Sequence, residues 1–173
     1  MDVATAKMLA QYRAWGEKVL YESVAALPAG ELEKPHPTRF KSILGTLNHN
    51  LLIDLVWQAH IEGRDHGFKA RDAMIYRDLP TLQAAQRAAS QWWIDWCSTQ
   101  TDQSLEEPVH FDFIDGGDGV MTRGAILMHV VIHGSYHRGY IAQMYYEDSR
   151  KPPTTDLPVF LRQCSEATLA GKS

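Results

Sequence analysis

The sequence predicts an all-α protein: a four-helix bundle, with a short hairpin or irregular excursion before the fourth helix. Three observations carry this expectation. Four segments of about 20 residues place apolar side chains at three- and four-residue spacing, the mark of an amphipathic helix. One stretch alternates every second residue instead, and the length of 173 residues suits a single core.

From Asp2 to Leu27, the residues Met8, Leu9, Tyr12, Trp15, Val19 and Leu20 share one side of a helix, which Pro28-Ala29-Gly30 ends. Glu31 to Lys41, with Pro35 and Pro37, reads as a loop. Ser42 is placed to cap a second helix that runs to about Glu62 and closes at Gly63. Arg64 to Asp78 shows no period. Leu82, Ala85, Ala89, Trp92, Trp93 and Trp96 then mark a third helix, whose tryptophans are expected in the core and on a dimer surface. Between Ser104 and Thr122, Val109, Phe111 and Phe113 alternate with His110 and Asp112, and a Gly/Asp cluster follows. Thr122 caps the fourth helix, which continues to about Tyr146. Beyond Lys151-Pro152-Pro153, one or two helical turns are expected around Leu157 to Gln163, and Ala170 to Ser173 should fray. One domain over residues 1–173, with its core over about 2–163, is the expected organisation, and the excursion is positioned to cover one mouth of the bundle.

Composition excludes several functions. Seventeen Lys and Arg against 21 Asp and Glu leave a formal charge of −4, with no basic cluster to attract nucleic acid. Apolar runs such as Leu51 to Ile53 stop far short of the roughly 20 residues that span a bilayer. The first residues lack the basic start and apolar stretch of a secretory signal, so a cytoplasmic protein is expected. Cys97 and Cys164 lie outside any CxxC arrangement, which argues against a disulfide framework or a thiolate zinc knot, and both are expected to be ordinary thiols.

The eight histidines are more informative. On the fourth helix, His129, His133 and His137 fall at about 0°, 40° and 80°, within the stripe that should face the core. Each buried ring carries a donor and an acceptor that need partners, and a shared metal satisfies several at once. Residues four apart rise about 6 Å, which two imidazoles can bridge, whereas eight apart rise about 12 Å, too far for one ion. The pairs His129 with His133 and His133 with His137 both remain open at this level. A third ligand must come from another helix, where His49 faces inward and His60 shares its side nearer the helix end. No Glu follows the first histidine, so the HExxH peptidase pattern is absent.

The run His129-Val130-Val131-Ile132-His133-Gly134-Ser135-Tyr136-His137-Arg138-Gly139-Tyr140-Ile141 resembles the H-x3-H-G-x2-H-R-G-Q-I signature of the DinB/YfiT-like superfamily. Ser42-Ile43-Leu44-Gly45-Thr46-Leu47-Asn48-His49, with Trp57 after it, is similar to that family's S-I-x2-T-L-x-H segment. Tyr12-Arg13-Ala14-Trp15 is similar to its Y-N-x-W start, and Pro152 to Leu157 to its tail. The resemblance spans about residues 2 to 163. It implies a four-helix bundle, usually a homodimer, with His49, His133 and His137 binding a divalent ion, commonly zinc or nickel. His129 then becomes a neighbour, with core packing the favoured role. Tyr140 departs from the family's glutamine.

Three neutral nitrogens leave such an ion its charge and an open position, as in catalytic zinc sites. The resemblance therefore implies a metal-dependent enzyme of thiol S-transferase or hydrolase type, acting on a small molecule or using a low-molecular-weight thiol. The alternative is a non-catalytic dimeric stress-response or sensor protein stabilised by its ion. No acid or base is placed beside the metal: Asp54 lies about 140° from His49 and is expected in solvent. Arg138 is expected to pair with a structural acid. His36, His66 and His110 fall in loops, where solvation is expected.

Overall fold

Helices begin in this chain where a short polar side chain can accept a first-turn amide hydrogen. The computed structural model describes residues 1–170. Asp2 accepts from the Thr5 amide at 2.7 Å and opens α1 (Val3–Ala25). Ser42 accepts from Gly45 at 3.0 Å and opens α2 (Ile43–Glu62), which ends at Gly63 in the left-handed conformation, φ 67°. Asp78 caps α3 (Leu79–Thr99), with Pro80 in its first turn. A single turn, α4 (Asp102–Leu105), precedes a hairpin of β1 (Pro108–Asp112) and β2 (Asp118–Thr122). Thr122 then caps α5 (Arg123–Glu147), and α6 (Leu157–Ala170) follows the proline pair.

The protein is thus mostly helical, with six helices and one two-stranded sheet among the described residues. The starts of α2 and α5 fall at the expected caps. Two features depart from expectation. The turn α4 was not anticipated, because a four-residue helix is too short to show a period, and α6 is longer than one or two turns. The fraying expected at the C-terminus falls on 171–173, outside the described residues.

α1 packs on α3 and α5, and α2 packs on the same two helices. α2 is therefore the enclosed element. Nearly everything from Ile43 to Ala59 is buried, on all sides of the helix, which is the pattern of a helix without a solvent face. This overturns the solvated position expected for Asp54. A side chain turned away from His49 on α2 meets another helix, and Asp54, 1% exposed, pairs there with Arg13 and accepts from Gln86 Nε2 at 2.7 Å. Trp93 is fully buried, whereas Trp92 and Trp96 are partly exposed.

The excursion is a regular antiparallel hairpin in which Phe111 faces Gly119. A Cβ at Gly119 would lie 2.6 Å from the Phe111 ring, so only glycine lets that ring lie across the partner strand. The Phe111 ring also meets Trp57 of α2 edge-on at 4.8 Å. Together these contacts seat the hairpin over the open end of α2 and α5.

Candidate metal centre

α2 and α5 present His49, His133 and His137 to one another. One ring nitrogen from each lies within 4.8 Å of the other two, so this group can hold a metal ion. Of the two pairs that spacing allowed on α5, His133 with His137 is the one brought to His49. Two nitrogens bound to one zinc-like ion at about 2.0–2.1 Å stand roughly 3.3 Å apart at a tetrahedral angle. His49 Nε2 and His133 Nε2 are 3.1 Å apart.

Hydrogen bonding favours that reading. His49 Nδ1 lies 2.7 Å from the Arg71 carbonyl and must be the protonated nitrogen, which leaves a lone pair on Nε2 facing His133. A backbone carbonyl that fixes the tautomer in this way is the usual support of a metal-binding imidazole. His137 Nδ1 is buried without a hydrogen-bond partner in the protein. Burial lowers all three pKa values, that of His137 to about 4 and that of His133 to about 2; neighbouring imidazoles add to the effect at His133 and His137, and the Arg39 and Arg71 charges add to it at His49. The rings are therefore neutral near pH 7, as metal coordination requires.

Phe40 stacks on His49 with ring centroids 3.9 Å apart and meets His137 edge-on at 5.4 Å. The position of Phe40 depends on Gly45, because a Cβ there would come 2.1 Å from the Phe40 carbonyl oxygen. The group opens into a cavity of about 330 Å³, walled by Ile53, Val56, Trp57 and Phe111, with Arg39 at its edge and Arg71 paired with Asp115 at 3.0 Å. Phe111 to Ile114 of the hairpin line this space, as expected for an element covering one mouth of the helices.

The sequence profile of the DinB family matches residues 1–167. The chain belongs to the DinB family. Over 159 residues it is 23% identical to the protein DinB of Bacillus subtilis (strain 168), covering 88% of this chain and 91% of that one. A crystal structure of a DinB-like protein from Bacillus cereus ATCC 10987 superposes with a TM-score of 0.61 at 16% identity, covering 84% of this chain and 94% of the other. At that identity the likeness concerns the fold.

In this DinB-family chain the remaining sequence candidates are distributed as follows. His129 is not packed in the core: it is half-buried in the cavity wall, edge-on to Trp57 at 5.1 Å. His60 lines the same cavity near the end of α2. Tyr140 stacks on His137 at 5.6 Å and shares a 2.8 Å hydrogen bond with the Tyr136 hydroxyl, so an aromatic wall stands at the position of the family's glutamine. Arg138 turns away from the cavity. It pairs with buried Glu17 at 3.2 Å and bonds Tyr12, Ser135 and Thr155, the structural role expected of it. His36 contradicts its expected solvation. Its side chain is 3% exposed and Nδ1 meets Glu147 at 2.8 Å, because the loop after α1 folds against the end of α5. His66 is partly buried and accepts from the Phe68 amide, and His110 is exposed as expected. Cys97 is buried, which raises its thiol pKa to about 12, and Cys164 is exposed.

Sequence reasoning did not find Phe40 or the Arg71 carbonyl. Both lie in segments without periodicity, and a main-chain oxygen carries no residue signal at all.

Two results are expected of this centre. Gly45→Ala displaces Phe40 and destabilises the chain by about 1–3 kcal/mol, the usual cost of overpacking, and weakens metal binding along with it. Thermal unfolding and metal titration of the variant check this. The second concerns pH. The unfolded chain protonates its histidines below about pH 6.5, while the folded metal-free chain resists until near pH 4 at His137. This stability is present above about pH 6.5 and is lost as pH falls towards 4. Asp54 has the opposite sign: burial raises its pKa to about 6, so the folded state gains a proton that the unfolded state does not hold, and that contribution disappears as pH rises through 6. The histidines outnumber it, and the metal-free chain should be about 2 kcal/mol less stable at about pH 5.5 than at about pH 7.5 in urea unfolding. Equal stability at the two values contradicts the assignment.

Proposed function

We propose that this DinB-family chain is a divalent-metal-dependent enzyme of thiol S-transferase or hydrolase type. In this reading it is one four-helix-bundle domain over residues 1–173, to which the hairpin and the shorter helices are additions, and it acts in the cytoplasm. His49, His133 and His137 hold the ion, zinc or nickel. The observation that carries the reading is the convergence of three neutral ring nitrogens at the foot of an apolar cavity.

When bound, such an ion supplies Lewis acidity and favours the deprotonated form of a water or thiol that reaches it. The chain's own residues do the rest. His49 is held in register by the Arg71 carbonyl and by the face of Phe40. Trp57, Phe111, Ile53 and Val56 exclude water from the approach, which strengthens every electrostatic interaction inside. Arg39, exposed at the cavity edge, is suited to orient a substrate carboxylate or thiolate. A cavity favours a catalytic ion over a purely stabilising one, because a closed structural site needs no approach path.

The test is metal analysis of the purified chain, followed by a screen of low-molecular-weight thiols against small electrophiles and of simple esters and amides. Turnover that requires the metal supports the proposal. A stoichiometric ion with no turnover across the screen assigns it to a non-catalytic sensor or stress protein.

We also read the chain as a homodimer. Met128, Ile132, Tyr136 and Tyr140 recur every fourth residue on α5 and are each more than a third exposed, an apolar stripe beside the cavity mouth. Ile132→Asp, at 59% exposure, should shift the sedimentation profile to monomer while circular dichroism stays helical.

A further inference from the structure

The cavity at the histidine centre runs on past the metal-binding group. Trp57 lies eight residues beyond His49 on α2, about 12 Å by helical rise, and both line the same space. We propose that the Trp57 end of this cavity is a second subsite, and that it takes the uncharged aromatic tail of a substrate whose reacting group sits at His49, His133 and His137. This rests on the reading of those three histidines as an open metal centre.

A connected set of rings is the first reason. Trp57, His60, Phe111, Phe113 and His129 all line the cavity. The Trp57 indole meets Phe111, His129 and His60 edge-on, with centroids 4.8, 5.1 and 5.4 Å apart, and Phe111 meets Phe113 at 5.1 Å. Clusters of this kind belong mostly to covered cores and interfaces, but this one is open. Phe113 is 45% exposed, and His60 and His129 are half-buried. Neither histidine makes a hydrogen bond among the described residues, and neither belongs to the metal-binding group, so neither the fold nor the ion uses their nitrogens. An aromatic guest gains from such walls through buried area and through edge-on or offset contacts. A cavity with apolar walls and a few polar groups has the general form of a small-molecule site.

Charge decides which tail fits. Both arginines of the lining, Arg39 and Arg71, act on His49, at the metal end. The other end differs. At His60 burial lowers the pKa, the neighbouring His66 lowers it further, and the exposed Asp112 carboxylate opposes them. A neutral imidazole and a carboxylate therefore stand beside Trp57, a setting that repels a negatively charged tail and leaves an uncharged ring unaffected.

The test uses hydroxamates, whose head group binds a zinc ion, titrated into the zinc-loaded full chain and followed by calorimetry. Acetohydroxamate reports the metal end alone. The longer 4-phenylbutanohydroxamate carries its ring towards Trp57 and should bind at least roughly tenfold more tightly. Its cyclohexyl analogue should bind roughly threefold more weakly than the phenyl probe, and its 4-carboxyphenyl analogue at least roughly tenfold more weakly. The phenyl probe, unlike acetohydroxamate, should shift the Trp57 indole signal in NMR spectra. Phe113→Ser, on the exposed hairpin, should stay folded by circular dichroism and lower the ratio of phenyl-probe to acetohydroxamate affinity roughly threefold. Trp57→Leu should lower that ratio further. The proposal is overturned if the phenyl probe and acetohydroxamate bind alike, or if the cyclohexyl or carboxyphenyl probe matches the phenyl one. It is also overturned if the Trp57 signal stays unmoved, or if both variants keep the wild-type ratio. Failure of the open metal centre looks different: acetohydroxamate then gains no affinity from zinc, and both proposals fall together.

Discussion

His133→Ala will reduce divalent-metal affinity by at least about 100-fold, and His49→Ala and His137→Ala will follow it. The three rings are mutually close, with centroids 5.0 Å apart for His49 and His133, 4.4 Å for His133 and His137 and 4.7 Å for His49 and His137. Removing it leaves two nitrogens on different helices, a donor set too small to compete with water for a zinc-like ion, which takes four ligands. Loss of an outer partner alone costs such sites 10–100-fold, so losing a direct ligand should cost more. Metal titration in a competing chelator measures the change. Wild-type stoichiometry and affinity in both His49→Ala and His137→Ala would refute the three-ligand site. Circular dichroism should stay helical in all three variants, because α2 and α5 are joined mainly by apolar packing that these changes leave in place.

Arg138→Ala is expected to destabilise the fold by about 3–5 kcal/mol. It strands the Glu17 carboxylate, 3% exposed at the side chain, leaving nearby only the Arg13 guanidinium, which Asp54 already pairs. It also removes hydrogen bonds to Tyr12, Ser135 and Thr155, which tie α1, α5 and the proline segment together. Arg138→Lys should recover only part of the loss, since an ammonium cannot reproduce the planar fork that serves four partners. Urea unfolding of the two variants, compared at equal metal loading, decides the point. A cost below about 1 kcal/mol for Arg138→Ala would mean that the pair behaves as a surface one.

Much of this architecture can be read in the chain before folding. Ser42 and Thr122 announce the starts of α2 and α5 because capping is local chemistry, settled within four residues. The alternation from Val109 to Phe113 announces the hairpin for the same reason. On α5 the histidine spacing narrows the ligands to two possible pairs. Which pair meets His49 depends on how α5 is placed against α2, a tertiary fact that periodicity cannot carry, and the family resemblance supplied the choice. Asp54 and His36 show where local reasoning fails. Both are polar residues judged by their own segment, and both are buried by elements distant in sequence: Arg13 and Gln86 for one, Glu147 for the other. An enclosed helix such as α2 has no wet side, so an angle measured from His49 says nothing about solvent.

The Arg71 carbonyl has a final consequence for how this centre tolerates change. An oxygen of the main chain is present whatever side chain stands at position 71, so Arg71→Ala or Arg71→Glu leaves the anchor of His49 chemically intact. What the anchor cannot survive is a change of reach. Adding or deleting a residue between Gly63 and Asp78 would move the oxygen off Nδ1, and within that stretch Phe68, Ala73 and Ile75 pack against the core while Gly67 holds a φ of 73°. Drift at position 71 should therefore be rich in substitutions and the segment around it poor in length changes, so that the constraint on this anchor is written in spacing instead of in letters.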